Sequence, residues 1–188
     1  KSYMQDLDIR KVLHSHLKKE NKPIKDTIII DELDLCSGLA RVDVAVINGV
    51  IHGYEIKSEE DTLKRLPLQM NYYNKSLEKI SVATNRIHLK EIKKFVPKWW
   101  GLILIEEDKN RKLKEIRKAK TNPSVEGKSL LQLLWKEELF YISQKYNVKI
   151  NRSANKKVLQ ENIADVLEME IISQEVRTTL KSRQNWRS

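Results

Sequence analysis

A chain of 188 residues with 40% hydrophobic and 33% charged residues can bury one good core beneath a heavily charged surface. No apolar run approaches the roughly 18–20 residues that span a bilayer, the first residues lack a signal peptide's apolar stretch, and the single cysteine, Cys36, excludes an intrachain disulfide, so no membrane partner and a reducing, cytoplasmic setting are expected. The formal net charge of +10 points instead to nucleic acid or another anionic surface as partner.

In chain order, Asp6 to Lys19 carries Leu7, Val12, Leu13 and Leu17 at roughly helical spacing, with acids in the first turn where the helix dipole favours them. Asn21-Lys22-Pro23 ends that helix. Thr27 to Leu33 reads as a β-rich strand, and two more follow at about Leu39–Ile47 and Val50–Lys57. Asp61 or Thr62 caps a short helix through Leu66, and Pro67 opens a longer one to about Lys79. Ile80–Thr84 is a short strand, and His88–Phe95 is a small helix stopped by Pro97. Gly101–Ile105 is apolar throughout, as a strand buried on both faces would be. Arg111–Ala119 reads as a strand or a basic extension. The order predicts an α/β fold, a mixed sheet with helices on its faces.

Asn122 to Gly127 gathers Pro, Ser and Gly and marks a boundary between a domain at residues 1–121 and a region at 122–188. Candidate helices beyond it are Ser129–Tyr146, Lys156–Leu167 and about Glu170–Arg183. Residues 1–108 hold 18 Lys/Arg against 17 Asp/Glu, whereas residues 109–188 hold 18 against 9, so the positive excess lies almost wholly in the last two-fifths.

The chemistry concentrates between Arg41 and Lys57. Glu55 and Lys57 are two apart on one strand and share a face. Whether Asp43 joins them depends on the turn at Asn48-Gly49. A two-residue loop pairs Ile47 with Val50 and turns Asp43 away from Glu55. A three-residue loop, or a bulge with Gly49 left-handed, brings the two acids to one face. Two such carboxylates can share a divalent cation, and oxygen ligands suit Mg²⁺ or Mn²⁺. The metal would polarise a phosphoryl oxygen, with Lys57 stabilising developing charge. Gln69 and Tyr73, at i and i+4 on the next helix, can hydrogen-bond a phosphate or stack on a base.

Asp43, Glu55-Ile56-Lys57 and Gln69-x-x-x-Tyr73 resemble the PD-(D/E)XK nuclease superfamily, specifically its RecB-like branch with a Q-x-x-x-Y helix. More narrowly, Arg41-Val-Asp43, His52-Gly-Tyr-Glu55-Ile-Lys57 and Pro97-x-Trp99-Trp100-Gly101 resemble a small uncharacterised bacterial family with that core. The resemblance implies a restriction-endonuclease-like core, metal-dependent cleavage of DNA, Asp43 and Glu55 as metal ligands, and Lys57 as catalytic. Val42 stands where the superfamily's name has Pro. The superfamily often adds an acid from the first helix, so Asp8, with Asp6 second, is a further candidate ligand, and Glu32, near the end of the first strand, is the alternative. Arg41 is a candidate phosphate contact or a partner for Glu55. The histidines lack zinc spacing, and no Gly-rich phosphate loop suggests a nucleotide cofactor.

The tail offers a helix, a short link at Tyr146–Ile150 and a basic helix start at Arg152–Lys157. It resembles small SAP-like DNA-binding modules, or it is a helical cap with a basic outer face. The leading expectation is a deoxyribonuclease of DNA repair or phage defence. The alternatives are a non-catalytic nucleic-acid-binding protein on a nuclease fold and an RNA-cleaving enzyme.

Overall fold

A computed structural model describes residues 5–23, 25–106 and 112–186. Its centre is a six-stranded sheet whose strands lie side by side in chain order. β1 (Ile28–Leu35), β2 (Ala40–Ile47) and β3 (Ile51–Lys57) form an antiparallel meander. α2 (Leu66–Ser76) carries the chain over to β4 (Lys79–Thr84), parallel to β3, and α3 (Arg86–Phe95) carries it to β5 (Gly101–Ile105), parallel to β4. β6 (Leu113–Arg117) returns antiparallel along the far edge.

Each face of the sheet has its own cover. α1 (Asp6–Asn21) buries Ile9, Leu13 and Leu17, one residue per turn, against Val44, Val46, Tyr54, Ile56, Ala83, Ile103 and Ile105. Its first turn carries Asp6 and Asp8 and its last Lys18 and Lys19, each complementing the helix dipole. The opposite face packs against α2 and α3 and then against the C-terminal helices, all in one continuous apolar cluster. The mixed α/β part is thus followed by an all-helical region made of α4 (Gly127–Leu131), α5 (Lys136–Lys145), α6 (Lys156–Val166) and α7 (Met169–Ser182).

Two polar residues fasten that helical region to the sheet. Asn122 is buried, and its Nδ2 donates to the carbonyls of Asn74 and Leu77, both at 2.7 Å. It thereby satisfies carbonyls that the end of α2 leaves without helical partners. The residue that marks a boundary in the sequence is therefore a structural clamp. Glu78 accepts from the Ile51 backbone N–H at 2.7 Å and from Arg177 of α7 at 2.6 Å, tying the start of β3 to the last helix.

The predicted helix over Ser129–Tyr146 is two helices. The Trp135 N–H donates to Glu138 Oε2 at 2.7 Å, which starts a new helix at Lys136. Arg183 of the C-terminus holds Glu138 and the Leu133 carbonyl together, stacked between Trp135 and Trp186 at 4.2 and 4.6 Å. Helical periodicity continues through the break, so only the cap reveals it. Gly53 marks a close approach of α2's end to the sheet: a Cβ there would lie 2.5 Å from Leu77 Cδ1. Among the described residues, no helix is long and apolar enough to cross a membrane.

Candidate functional site

The β2–β3 connection has three residues. Ile47 pairs with Ile51, so Asn48, Gly49 and Val50 form the loop, closed by Asn48 N–H to the Val50 carbonyl at 3.2 Å and Val50 N–H to Asn48 Oδ1 at 3.1 Å. Gly49 is not left-handed, so the odd loop length does without the bulge. The register runs back to Val44 opposite Tyr54, and one more step would set Asp43 opposite Glu55. There the ladder stops. Asp43 Oδ2 itself accepts from the Ile56 backbone N–H at 2.7 Å, in place of a β2 carbonyl.

The face alternation is reset at the same point. Val44 packs in the α1 cluster and Val42 in the opposite one. In β1, the partner position is Glu32, whose φ is 55°, between the pairs Asp31 with Val44 and Leu33 with Val42. A left-handed Glu costs on the order of 1 kcal/mol. The two strands switch faces together, so their register survives.

Around Glu55 the polar groups close on each other. Glu55 is 2% exposed and Lys57 7%. Lys57 Nζ lies 2.8 Å from Glu55 Oε1 and donates to Gln69 Oε1 at 3.1 Å. Gln69 Nε2 donates to Glu55 Oε1 at 2.8 Å. The hydroxyl of Tyr73, a fully buried residue of α2, lies 2.5 Å from Glu55 Oε2 and 2.9 Å from the Arg41 carbonyl. Burial and the Glu55 charge push that hydroxyl's pKa upward, so it remains a donor. Thr84 Oγ1 donates to the Lys57 carbonyl at 2.8 Å and completes the frame from β4. Every member thus has a partner within the protein, the condition under which a buried polar network stabilises a fold.

Asp43 sits at the edge of this network. Burial and then the Glu55 charge raise its pKa to about 7, against the opposing pull of the Ile56 N–H and Arg10. Arg10, which sequence reasoning did not single out, reaches from α1 to the Asp43 carbonyl at 2.8 Å, to Asp43 Oδ1 at 3.4 Å and to Glu32 at 2.8 Å. A lone arginine one turn after Asp6 was the available signal, for the two are also paired at 3.5 Å.

The structure therefore brings Asp43, Glu55, Lys57, Gln69 and Tyr73 together, and Glu32 adjoins them because Arg10 Nη2 reaches both Glu32 Oε1 and Asp43 Oδ1. Asp8 accepts from the Gln5 N–H at the start of α1. Arg41 is exposed and paired with Asp34 at 2.7 Å, away from Glu55. Asp43 and Glu55 are the two carboxylates that would hold a Mg²⁺ or Mn²⁺. Both Glu55 oxygens and both Asp43 oxygens already receive protein donors. Among the described residues, no three His, Cys, Asp or Glu side chains gather as a group that could hold a metal ion.

The family model for bacteriophage P4 protein cII matches residues 2–188. Protein cII of Enterobacteria phage P4 is 27% identical over 161 residues, which cover 85% of this chain and 61% of the relative. The chain thus spans about three-fifths of that relative's length. No solved structure matches it. These matches correct three expectations: membership of a PD-(D/E)XK, RecB-like family, the function of hydrolysing DNA phosphodiester bonds, and the metal-dependent deoxyribonuclease activity. The motif residues are present, and their side chains bond one another around Glu55. With residues 2–188 matched, the chain belongs to the bacteriophage P4 protein cII family.

Proposed function

We propose that this chain is a non-catalytic DNA-binding protein built on a restriction-endonuclease-like core. The observation that carries the reading is where its charges go. The acid–lysine group inside the protein is internally paired, while the lysines and arginines that outnumber the acids by ten stand mainly at the surface. Unpaired surface cations repel one another, and a polyanion relieves that repulsion while releasing its own counterions. In this reading, Asp43, Glu55, Lys57, Gln69 and Tyr73 position β2, β3 and α2 rather than contact a substrate.

The test titrates short fluorescent duplex DNA with the protein at several salt concentrations, with Mg²⁺ in one series and EDTA in another. Binding is expected in both, with affinity falling steeply as salt rises and the DNA recovered intact. Absence of binding at low salt would refute the reading, and so would cleavage products that require the metal.

A further inference from the structure

One surface sets exposed cations of two elements around a shared trough. α3 presents Arg86, Lys90, Lys93 and Lys94, and all four are exposed. Arg86, Lys90 and Lys93 are spaced i, i+4 and i+7 and lie on one side of the helix. That side faces β6 across an open trough of about 450 Å³. Leu89, Leu104 and Ile116 contribute its apolar lining, and Lys114 stands beyond them on β6. Among the described residues, Glu106 is the one acid of the lining, and it is paired with Arg86 at 2.9 Å.

The sheet register explains why β6 contributes a cation here. Lys114 pairs with Leu104, so both share α3's face, whereas Glu115 pairs with Ile103 and points to the α1 face. Alternation thus sends the strand's acid away and its lysine toward the trough. Beyond Ile116 the register slips by one residue. Arg117 can then fold inward onto the carbonyls of Trp100 and Pro97, at 2.7 and 3.0 Å. It braces the β5–β6 edge against the end of α3, which makes the trough a rigid feature.

In the C-terminal helical region, Lys128, Lys145, Arg177 and Arg183 are each bound to a glutamate of the protein, while Lys149, Arg152 and Lys157 stand exposed around the start of α6. Lys90, Lys93 and Lys114 instead surround a trough whose one acid among the described residues is already taken by Arg86.

We propose that the α3–β6 trough is the surface that takes the phosphate backbone of duplex DNA, with Arg86, Lys90, Lys93 and Lys114 as its contacts. This rests on the DNA-binding reading above. Duplex DNA offers about one charge per 1.7 Å of axis, so several phosphates come within reach of a row of cations on a rigid helix and strand. The contacts go to phosphates and supply affinity and orientation rather than sequence readout. Sequence preference, where the whole protein has one, would come from elsewhere.

The experiment compares three proteins in the duplex titration: the unchanged chain, the triple variant K90E/K93E/K114E, and the triple variant K149E/R152E/K157E across the exposed link and the first turn of α6. Both variants change the net charge equally, so a mere loss of positive charge affects them alike. Circular dichroism and thermal melting check that each is folded. At about 0.1 M salt the α3–β6 variant is expected to lose about 100-fold in affinity, and its log–log salt slope to fall by about 3. The link variant is expected to lose less than about tenfold. Equal losses, or a larger loss in the link variant, would overturn the trough while leaving DNA binding intact. If the unchanged chain binds no duplex, both the reading and the trough fall. A third arm uses phosphatidylserine vesicles. Capture on vesicles that depends on Lys90, Lys93 and Lys114, with duplex affinity unmoved by the same changes, would reassign the surface to a membrane. Should K90E/K93E/K114E fail to fold, the single variants Lys90→Gln and Lys93→Gln carry the comparison, each expected to lower the slope by about 1.

Discussion

The Glu55 cluster and the α3–β6 trough hold the same residue types in opposite circumstances. In the first, Lys57 is buried, one of its partners is a carboxylate at 2.8 Å, and the groups around it are mutually satisfied. In the second, Lys90, Lys93 and Lys114 are exposed around a trough with one acid among the described residues, already paired. A buried charge must be matched inside the protein or the fold loses several kcal/mol, so its surroundings report on architecture. An exposed row of like charges costs little to keep and gains only when something anionic arrives, so its surroundings report on a partner. Residue identity alone does not distinguish the two cases. Burial and partner count do.

The strongest way to break this contrast is to remove the acid from the buried group. Glu55→Ala leaves the Lys57 ammonium buried without its carboxylate, and is expected to lower unfolding free energy by about 3–5 kcal/mol in urea titration. Adding Lys57→Met should restore a good part of that loss, because the stranded charge goes with it. A Glu55→Ala protein as stable as the parent would show that the cluster does not hold the fold.

A smaller change tests the link from α2. Tyr73→Phe deletes the hydroxyl that lies between Glu55 Oε2 and the Arg41 carbonyl, and with its single proton removes the donor that Glu55 Oε2 receives at 2.5 Å. The expected loss is about 1–3 kcal/mol, with duplex affinity of the folded protein unchanged. A clear fall in affinity at unchanged stability would move Tyr73 from the fold to the binding surface.

How much of this was legible beforehand follows the same division. The element order was readable because hydrophobic period and turn residues are local properties, and each strand from Thr27 to Ile105 appears within a few residues of its expected place. The odd-numbered β2–β3 loop was readable as a condition on faces, since side chains alternate with period two. The motif Asp43, Glu55, Lys57, Gln69, Tyr73 was readable as a cluster but not as a closed one. Spacing puts side chains on a face, and only distances show that Gln69 and Tyr73 turn onto Glu55 rather than outward. That is why a nuclease-like reading of the residues was available and the family match overturned it. Arg10 was hidden because its acids, Asp31, Glu32 and Asp43, lie more than 20 positions away in the chain. The trough was hidden for a similar reason, for Lys90 and Lys114 belong to different elements joined only by the sheet.

A pH titration probes a half-buried polar group on the α1 side. His52 Nδ1 lies 3.0 Å from the Tyr54 hydroxyl and Nε2 lies 2.9 Å from Ser81 Oγ, with the ring stacked on Tyr54. Burial, and to a lesser degree Lys79, lowers its pKa to about 3. The folded state therefore keeps the ring neutral while the unfolded chain takes up a proton near pH 6.5. The stability this group contributes is complete above pH 6.5 and is lost as pH falls from there toward 3. The slope should be at most about 1.4 kcal/mol per pH unit. Melting curves between pH 7 and about pH 4 should fall more steeply for the parent than for His52→Gln, which cannot take up that proton. Parallel curves would mean that the ring titrates alike in both states.

The least change in stability is expected at the trough, and there it separates the two regions most sharply. Lys93→Ala removes an exposed side chain from α3, where alanine is at least as good a helix former, so unfolding free energy should stay within about 0.5 kcal/mol of the parent. Duplex affinity should nevertheless fall several-fold at low salt, with the salt slope reduced by about 1, as for the loss of one phosphate contact. Measured together, the two quantities move in opposite proportion to those of Glu55→Ala, where stability collapses and the binding of whatever remains folded is retained. If Lys93→Ala instead destabilised the protein at unchanged affinity, the trough would be a part of the architecture, and the division between inward-paired and outward-facing charge would fail where it is most exposed to test.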